Sequence, residues 1–258
     1  MSTDEQSKKF YTEKAKQYTE HVRNPLDSVY HSYYEKPAMY KLLPDLQNKT
    51  VLSIGCGSGE DSIYLKRQGA MRSVGIDLSK NLIDIATTSY SECEFKVMDM
   101  EKLDFPSETF DFVYSSLAIH YVEDWKNVFI GVHKILKSGG SFLFSCSHPV
   151  RFAMDEDNSQ EGFSARKLEI ARNEATKELK ITGDYLVKRK IIDALGKDTA
   201  NIWTMPISDM VRTAIGAGFV IEDLVEPRPL DEMKVVNARE YYRLSKIPEF
   251  VIFKLLKH

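Results

Sequence analysis

Three glycines at alternate positions follow an apolar run in Val51-Leu52-Ser53-Ile54-Gly55-Cys56-Gly57-Ser58-Gly59-Glu60. Glycine lets a backbone turn sharply and lets a ligand touch it. Gly55 suits the tight turn, Gly57 the close approach, and Gly59 close packing at the start of a helix. The free amides and positive dipole end of that helix suit a carboxylate or a phosphate. Asp77 follows Gly59 by 18 residues and Asp99 follows Asp77 by 22, each at the end of a strand-like run. A carboxylate at Asp77 can accept from both hydroxyls of an adenosine ribose, and one at Asp99 from an adenine amino group. Leu78 and Met100, each just after its carboxylate, would sandwich the adenine ring by apolar contact. The plainer alternative makes each aspartate a helix cap or turn residue and the glycine loop a mere turn.

The loop also bears on which adenosine ligand is expected. Dinucleotide sites use G-x-G-x-x-G, with a pyrophosphate over the helix start. Here that third position is Glu60, whose charge repels a pyrophosphate, and the pattern G-x-G-x-G better fits a ligand with an amino-acid tail. The loop therefore favours S-adenosylmethionine over NAD. Cys56 is counted with the loop and shows nothing of a reactive thiol.

Two histidines stand near the edge where ligands of open α/β sheets bind, His120 after the fourth strand-like run and His148 after the fifth. His120 reads as a base or substrate hydrogen-bond donor, or as a capping and packing residue. His148, before Pro149, reads as a base or as a turn residue. Tyr18 is a candidate for the cofactor carboxylate, and Tyr33 and Tyr34 for the substrate pocket, against plain packing of an amphipathic cover. Arg151, Trp203 and the run Lys188-Arg189-Lys190 would meet an anionic or aromatic substrate, unless the run is a solvated face. The histidines form no metal-ligand spacing, so no metal is expected.

These side chains need a scaffold, and the chain supplies one. From about residue 50, β-branched or aromatic runs (Thr50–Ile54, Arg72–Ile76, Glu94–Met98, Phe110–Tyr114, Gly140–Cys146) alternate with helical stretches or short turns, which reads as parallel βαβ units. Glu60–Gln68 has the length of a crossover helix ended by Gly69, Ser79 caps the next, and Asn127–Leu136 makes a third. Tyr11, Ala15, Tyr18 and Val22 fall at helical spacing ahead of this core. After Ser147 the alternation lapses, too long for a plain connection and expected to be a lid. Within it Glu178–Ile181 and Tyr185–Ile192 have strand-like content. A helix at Ser208–Ala217 and strands at Phe219–Val225 and Glu249–Leu256 follow. The expected layout is an N-terminal helical cover (1–45), a binding core (46–148), a lid or substrate insertion (149–205) and a C-terminal part of the core sheet (206–258).

Composition narrows the setting. The 258 residues are 43% hydrophobic and 28% charged, with a net charge of −3, enough apolar content for a core. No apolar run approaches a membrane span, and the polar start has no signal-peptide core. The cysteines Cys56, Cys93 and Cys146 are too scattered for a disulfide framework or zinc knuckle. Slight acidity argues against a nucleic-acid partner. The expectation is a cytoplasmic protein acting on a small molecule, without membrane or nucleic acid; the oligomeric state is not legible.

With these residues assembled, the chain resembles a class I S-adenosylmethionine-dependent methyltransferase of the small-molecule group, strongly over residues 46–147. Phe110-Asp111-Phe112-Val113-Tyr114-Ser115-Ser116-Leu117-Ala118-Ile119-His120 resembles the fourth-strand motif, Val97–Leu103 the adenine-binding turn, Leu136–Gly140 the turn before the fifth strand, and Ala217–Val220 the turn into the last strand pair. The resemblance implies a Rossmann-like α/β fold, a seven-stranded mostly parallel sheet of order 3-2-1-4-5-7-6 with helices on both faces. It also implies that Ser115, with His120, flanks the reaction centre beside the cofactor's methionine part. Ser53 departs from the acidic residue common at that position. A modified, for example carboxylated, cofactor, or a non-catalytic adenosyl-binding protein of the same fold, are the rival expectations. Methyl transfer chiefly needs alignment and exclusion of water, so no obligatory catalytic triad is expected.

Overall fold

Strand β1 (Thr50–Ile54) is buried at all five positions, as a central strand covered on both faces must be. Around it, in a computed structural model describing residues 5–157, 165–195 and 198–258, lie β2 (Arg72–Asp77), β3 (Glu94–Val97), β4 (Phe110–Ser115) and β5 (Leu136–Ser147). β1 pairs in parallel with β2 and β4, β2 with β3, and β4 with β5. Beyond an insertion come β12 (Val220–Val225) and β13 (Phe250–Leu256), β13 running antiparallel to both β5 and β12. The sheet order is β3-β2-β1-β4-β5-β13-β12. Counted within the sheet alone this is 3-2-1-4-5-7-6, the order implied by the resemblance.

Side-chain alternation splits the core between the two faces. Leu52, Phe142, Phe144 and Phe253 join the apolar residues of α6 (Trp125–Ile135) and α8 (Ile207–Gly216). Val51, Phe112, Leu143 and Ile252 join Met39 of α3 (Lys36–Lys41) and Leu65 of α4 (Glu60–Arg67). Phe144 and Phe253 are directly opposed across the antiparallel pair, their rings stacked at 5.1 Å, the kind of cross-strand contact that fixes register.

Local sequence explains the element ends. Gly59 (φ +94°) starts α4 and Gly69 (φ +106°) follows its end. The Ser79 hydroxyl accepts from Leu82 N–H to cap α5 (Lys80–Ser89). α6 begins two residues before the expected Asn127 because Asp124 accepts from Lys126 and Asn127 N–H. The expected turn at Lys137–Gly140 lies inside β5, which is longer than Gly140–Cys146. Leu136 pairs with Phe110, Gly139 N–H donates to Lys257, and Lys257 N–H donates back to Gly140.

The N-terminal segment forms α1 (Glu5–Glu13), α2 (Ala15–Arg23), a π-helical turn at His31–Glu35 and then α3. The insertion contains α7 (Val150–Ala153) and three antiparallel pairs. These are β6 (Asp155–Asp157) with β7 (Ala165–Lys167), β8 (Glu169–Arg172) with β9 (Leu179–Thr182), and β10 (Arg189–Leu195) with β11 (Asp198–Thr204). β10 starts later than the expected Tyr185; the Tyr185 hydroxyl accepts instead from Ile207 N–H. Cover and insertion meet at the buried Ser7, whose hydroxyl donates to Asn201 C=O and accepts from Asn201 N–H. Short helices α9 (Met233–Val236) and α10 (Ala238–Leu244) precede β13.

Candidate active site

The carboxyl ends of β1, β2, β3 and β4 open into one pocket, as the strand-order reversal between β1 and β4 leads one to expect. Gly55 and Gly57 form one wall, Asp77 and Leu78 the next, Asp99 and Met100 the third. Asp77 Oδ2 accepts from Gly57 N–H (3.0 Å) and Oδ1 from Ser79 N–H (2.8 Å). Each oxygen thus retains acceptor capacity, the arrangement needed to take two vicinal hydroxyls. Burial lifts the Asp77 carboxyl above the usual range, against the amides of Ser79, Gly57 and Leu78 that favour its charge. Asp99 Oδ1 accepts from Glu101 N–H, which orders the turn after β3.

The glycines are needed where they stand. At Gly57 (φ +54°) a Cβ would lie 3.3 Å from the Tyr18 ring, so the missing side chain is what leaves room between loop and cover. Tyr18 therefore lies over the loop. Tyr11 meets it edge-on at 5.2 Å and shares a 2.6 Å hydroxyl contact with Tyr121. The α1 backbone is pinned there, Tyr11 C=O by Ser79 Oγ–H and Thr12 C=O by the Asn81 amide.

A smaller recess adjoins the pocket, sharing Tyr18, Gly55 and Ser116 with it and adding His31, Lys36 and Asp61. Lys36 Nζ is 2.8 Å from Asp61 Oδ1, and Arg23 Nε 2.6 Å from Glu60 Oε1. Cys56 also lines it. Burial pushes the Cys56 thiol well up, with Asp77 adding to the effect, which disfavours the nucleophilic thiolate.

The expected site residues do not all converge. Gly55, Gly57, Asp77, Leu78, Asp99, Met100 and Tyr18 line the pocket together. Gly59 does not; its φ of +94° and a would-be Cβ at 2.9 Å from Phe95 make it a packing residue at the helix start. Ser115 is fully buried and its hydroxyl donates to Ile54 C=O. The next residue, Ser116, faces the pocket instead, with Leu117 and Ala118. Leu117 (φ +49°) holds a left-handed backbone, uncommon for a branched residue, and its N–H donates to Ser145 Oγ.

His120 is buried, and its Nδ1 accepts from Ser147 N–H at 3.2 Å. His148 Nδ1 accepts from Val150 N–H and its Nε2 meets Glu226 at 3.0 Å. Neither lines the pocket; His120 anchors the last residue of β5 and His148 the backbone just beyond it. Burial, aided by Arg151, takes His120 down to about 3. A histidine depressed in the fold stabilises above its unfolded value near 6.5, and that stability is lost as pH falls toward 3. Urea unfolding of the wild type should therefore lose about 2 kcal/mol more than His120→Asn between pH 7 and pH 5. Parallel pH profiles would mean that the ring is not buried neutral.

Tyr34 is a correction to the expected substrate pocket: it is fully buried beside Phe250, and its hydroxyl accepts from Glu249 N–H. Tyr33 packs in the same cluster, where its C=O accepts from Leu230 N–H. Arg151 lies over Phe152, 2.6 Å from the buried Glu249. Trp203 lies under Lys188, whose ammonium donates to Glu123 C=O, while Arg189 donates to Phe152 C=O. These residues brace the insertion against the core and do not line the pocket. Tyr121, Lys8 and Tyr11, which do line it, carried no local signal beyond the helical spacing of Tyr11. Among the described residues no group of three or more His, Cys, Asp or Glu is placed to hold a metal ion, and no helix is long and apolar enough to cross a membrane.

Residues 52–144 match a family model described as a methyltransferase domain. The chain is 30% identical over 234 residues to an uncharacterized protein of Haemophilus influenzae, covering 86% of this chain and 87% of that one. It is 36% identical over 105 residues to phosphoethanolamine N-methyltransferase 3 of Arabidopsis thaliana, a match spanning 38% of this chain and only 21% of that enzyme. A solved S-adenosylmethionine-dependent methyltransferase from Mesorhizobium loti superposes with a TM-score of 0.73 at 27% identity, over 89% of this chain and 99% of that one.

Proposed function

Because the chain belongs to the class I S-adenosylmethionine-dependent methyltransferases, with S-adenosylmethionine as cofactor, we propose that it methylates a small molecule. The observation that carries the cofactor's placement is Asp77, whose two oxygens each hold one backbone amide and keep capacity for a ribose hydroxyl. Leu78, Met100 and Ala118 supply apolar walls for the base, and Asp99 an acceptor at their end. Bound there, the cofactor supplies a methyl group on a sulfonium, open to in-line displacement by an acceptor.

The chain's own work is alignment and exclusion of water. Tyr18, Tyr11 and Tyr121 roof the pocket, and burial holds the Tyr11 and Tyr18 hydroxyls well above their ordinary value, hence neutral. The cover (1–45) and insertion (149–205), joined at Ser7 and Asn201, enclose the acceptor in this reading. Of the two histidines, His120 keeps its acceptor-side role in this reading through Nε2, whereas both nitrogens of His148 are engaged, by Val150 N–H and Glu226. The three cysteines are free thiols, in keeping with a reducing, cytoplasmic setting. A carboxylated cofactor would need an unengaged cation, and the bonds of Lys188, Arg189 and Arg151 give that reading no support.

The test is incubation with S-adenosylmethionine and a cell extract split by size. Formation of S-adenosylhomocysteine, with a methyl mass increment in the small-molecule fraction alone, is expected. Incorporation into the protein or nucleic-acid fraction would overturn the acceptor class, and a different increment the transferred group.

A further inference from the structure

Glu35, in the π-helical turn before α3, is a fully buried carboxylate in contact with the pocket wall. Its Oε1 accepts from Ser116 Oγ–H at 3.0 Å and Ser145 Oγ–H at 2.5 Å. Its Oε2 has no hydrogen-bond partner, and 3.6 Å away lies His31 Nδ1, equally buried and equally unpartnered. A buried carboxylate oxygen without a donor is costly, and the imidazole nitrogen is the group facing it. A proton on Nδ1 directed at Glu35 leaves Nε2 of the neutral ring as an acceptor. Since Nδ1 is buried, the exposed part of this 23%-exposed side chain is the rest of the ring, which lines the recess continuous with the main pocket.

The charges around that recess are otherwise matched, Lys36 with Asp61 and Arg23 with Glu60. Glu35 is hydrogen-bonded to two neutral hydroxyls, and the neighbouring Lys36 ammonium, held by Asp61, also feels its charge. We propose that His31, positioned by Glu35, accepts a hydrogen bond from the α-ammonium at the amino-acid end of the ligand. Glu35 acts through His31: it fixes the ring's tautomer and supplies the negative potential behind it. The cover segment thereby reads the tail of the ligand, whereas the strand ends hold its nucleoside. This inference rests on the adenosyl-ligand reading above.

Calorimetric titration with three probes tests it: S-adenosylhomocysteine, its decarboxylated analogue that keeps the amine, and 5′-methylthioadenosine, which has no tail. His31→Asn should weaken the first two by about tenfold or more and leave 5′-methylthioadenosine within about twofold. Glu35→Gln should do the same to a smaller degree, about three- to tenfold. Equal weakening of all three probes by His31→Asn would show a merely structural role and overturn the proposal. Loss confined to S-adenosylhomocysteine would show that His31 reads the carboxylate and would overturn the assignment to the ammonium. Unchanged affinities in the variants overturn this inference alone, whereas a wild type that binds none of the three overturns the adenosyl reading itself.

Discussion

Asp77→Ala should weaken S-adenosylhomocysteine binding by at least about tenfold while leaving a cooperatively folded protein. Hydrogen bonds to a charged acceptor contribute about 1.5–3 kcal/mol each, and alanine removes the acceptor for both ribose hydroxyls. Water entering the vacated space returns part of that loss, so the effect falls below the sum of two such bonds. The fold suffers less. Gly57 and Ser79 lose their carboxylate partner, but both amides face a pocket that water reaches, so stability should fall by about 1 kcal/mol, as for a lost helix cap. Burial disfavours the Asp77 charge, and relieving it offsets some of that cost. Asp77→Asn keeps one carbonyl acceptor and should fall between alanine and wild type. Calorimetry with S-adenosylhomocysteine, beside urea unfolding of each variant, reads both quantities. An alanine variant that folds and binds as tightly as wild type would remove the ribose from β2.

The residues legible in the sequence are those whose role is set within a few positions of themselves. Thr50–Ile54 is a strand for its apolar run, Ser79 a cap for its hydroxyl and the pattern after it, and Asp77 a strand end. Ser115 and Ser116 show where this reasoning stops. Ser115 ends β4 and Ser116 comes next, and successive side chains of a strand point to opposite faces. One hydroxyl therefore goes to Ile54 of the neighbouring strand and the other to Glu35 of the cover, 81 residues away in the chain. Nothing local distinguishes them; register against β1 does. Tyr34 and Tyr18 differ in the same way: both are cover tyrosines, but the π-helical turn carries Tyr34 over Phe250, whereas α2 leaves Tyr18 above Gly57. Tyr121 meets Tyr11 in the roof across 110 residues of chain. Site residues built from such distant meetings have no sequence pattern of their own.

Gly55→Ala should be the most disruptive single methyl group in the loop. Its φ of +64° costs an alanine about 1 kcal/mol, and the added Cβ would stand 2.3 Å from the Ala118 Cβ. That neighbour has no side-chain torsion with which to move aside. The β1 loop and the 116–118 segment must part, and these are two walls of one pocket. Overpacking of this kind costs about 1–3 kcal/mol beyond the torsional term, so a loss of about 2–4 kcal/mol is expected, with ligand affinity falling alongside. Gly139 supplies the control: its φ is +74°, but nothing lies within 4 Å of a built Cβ, so alanine there should cost only the torsional term of about 1 kcal/mol and leave binding unchanged. Gly57→Ala separates the two effects in the other direction. The Tyr18 ring at 3.3 Å can swing away, so stability should change about as at Gly139 while ligand space is lost. Urea unfolding should place Gly55→Ala well below the other two, and calorimetry should group Gly55→Ala with Gly57→Ala. If Gly55→Ala costs no more than Gly139→Ala, the loop does not touch Ala118, and the pocket wall between β1 and β4 must be drawn elsewhere.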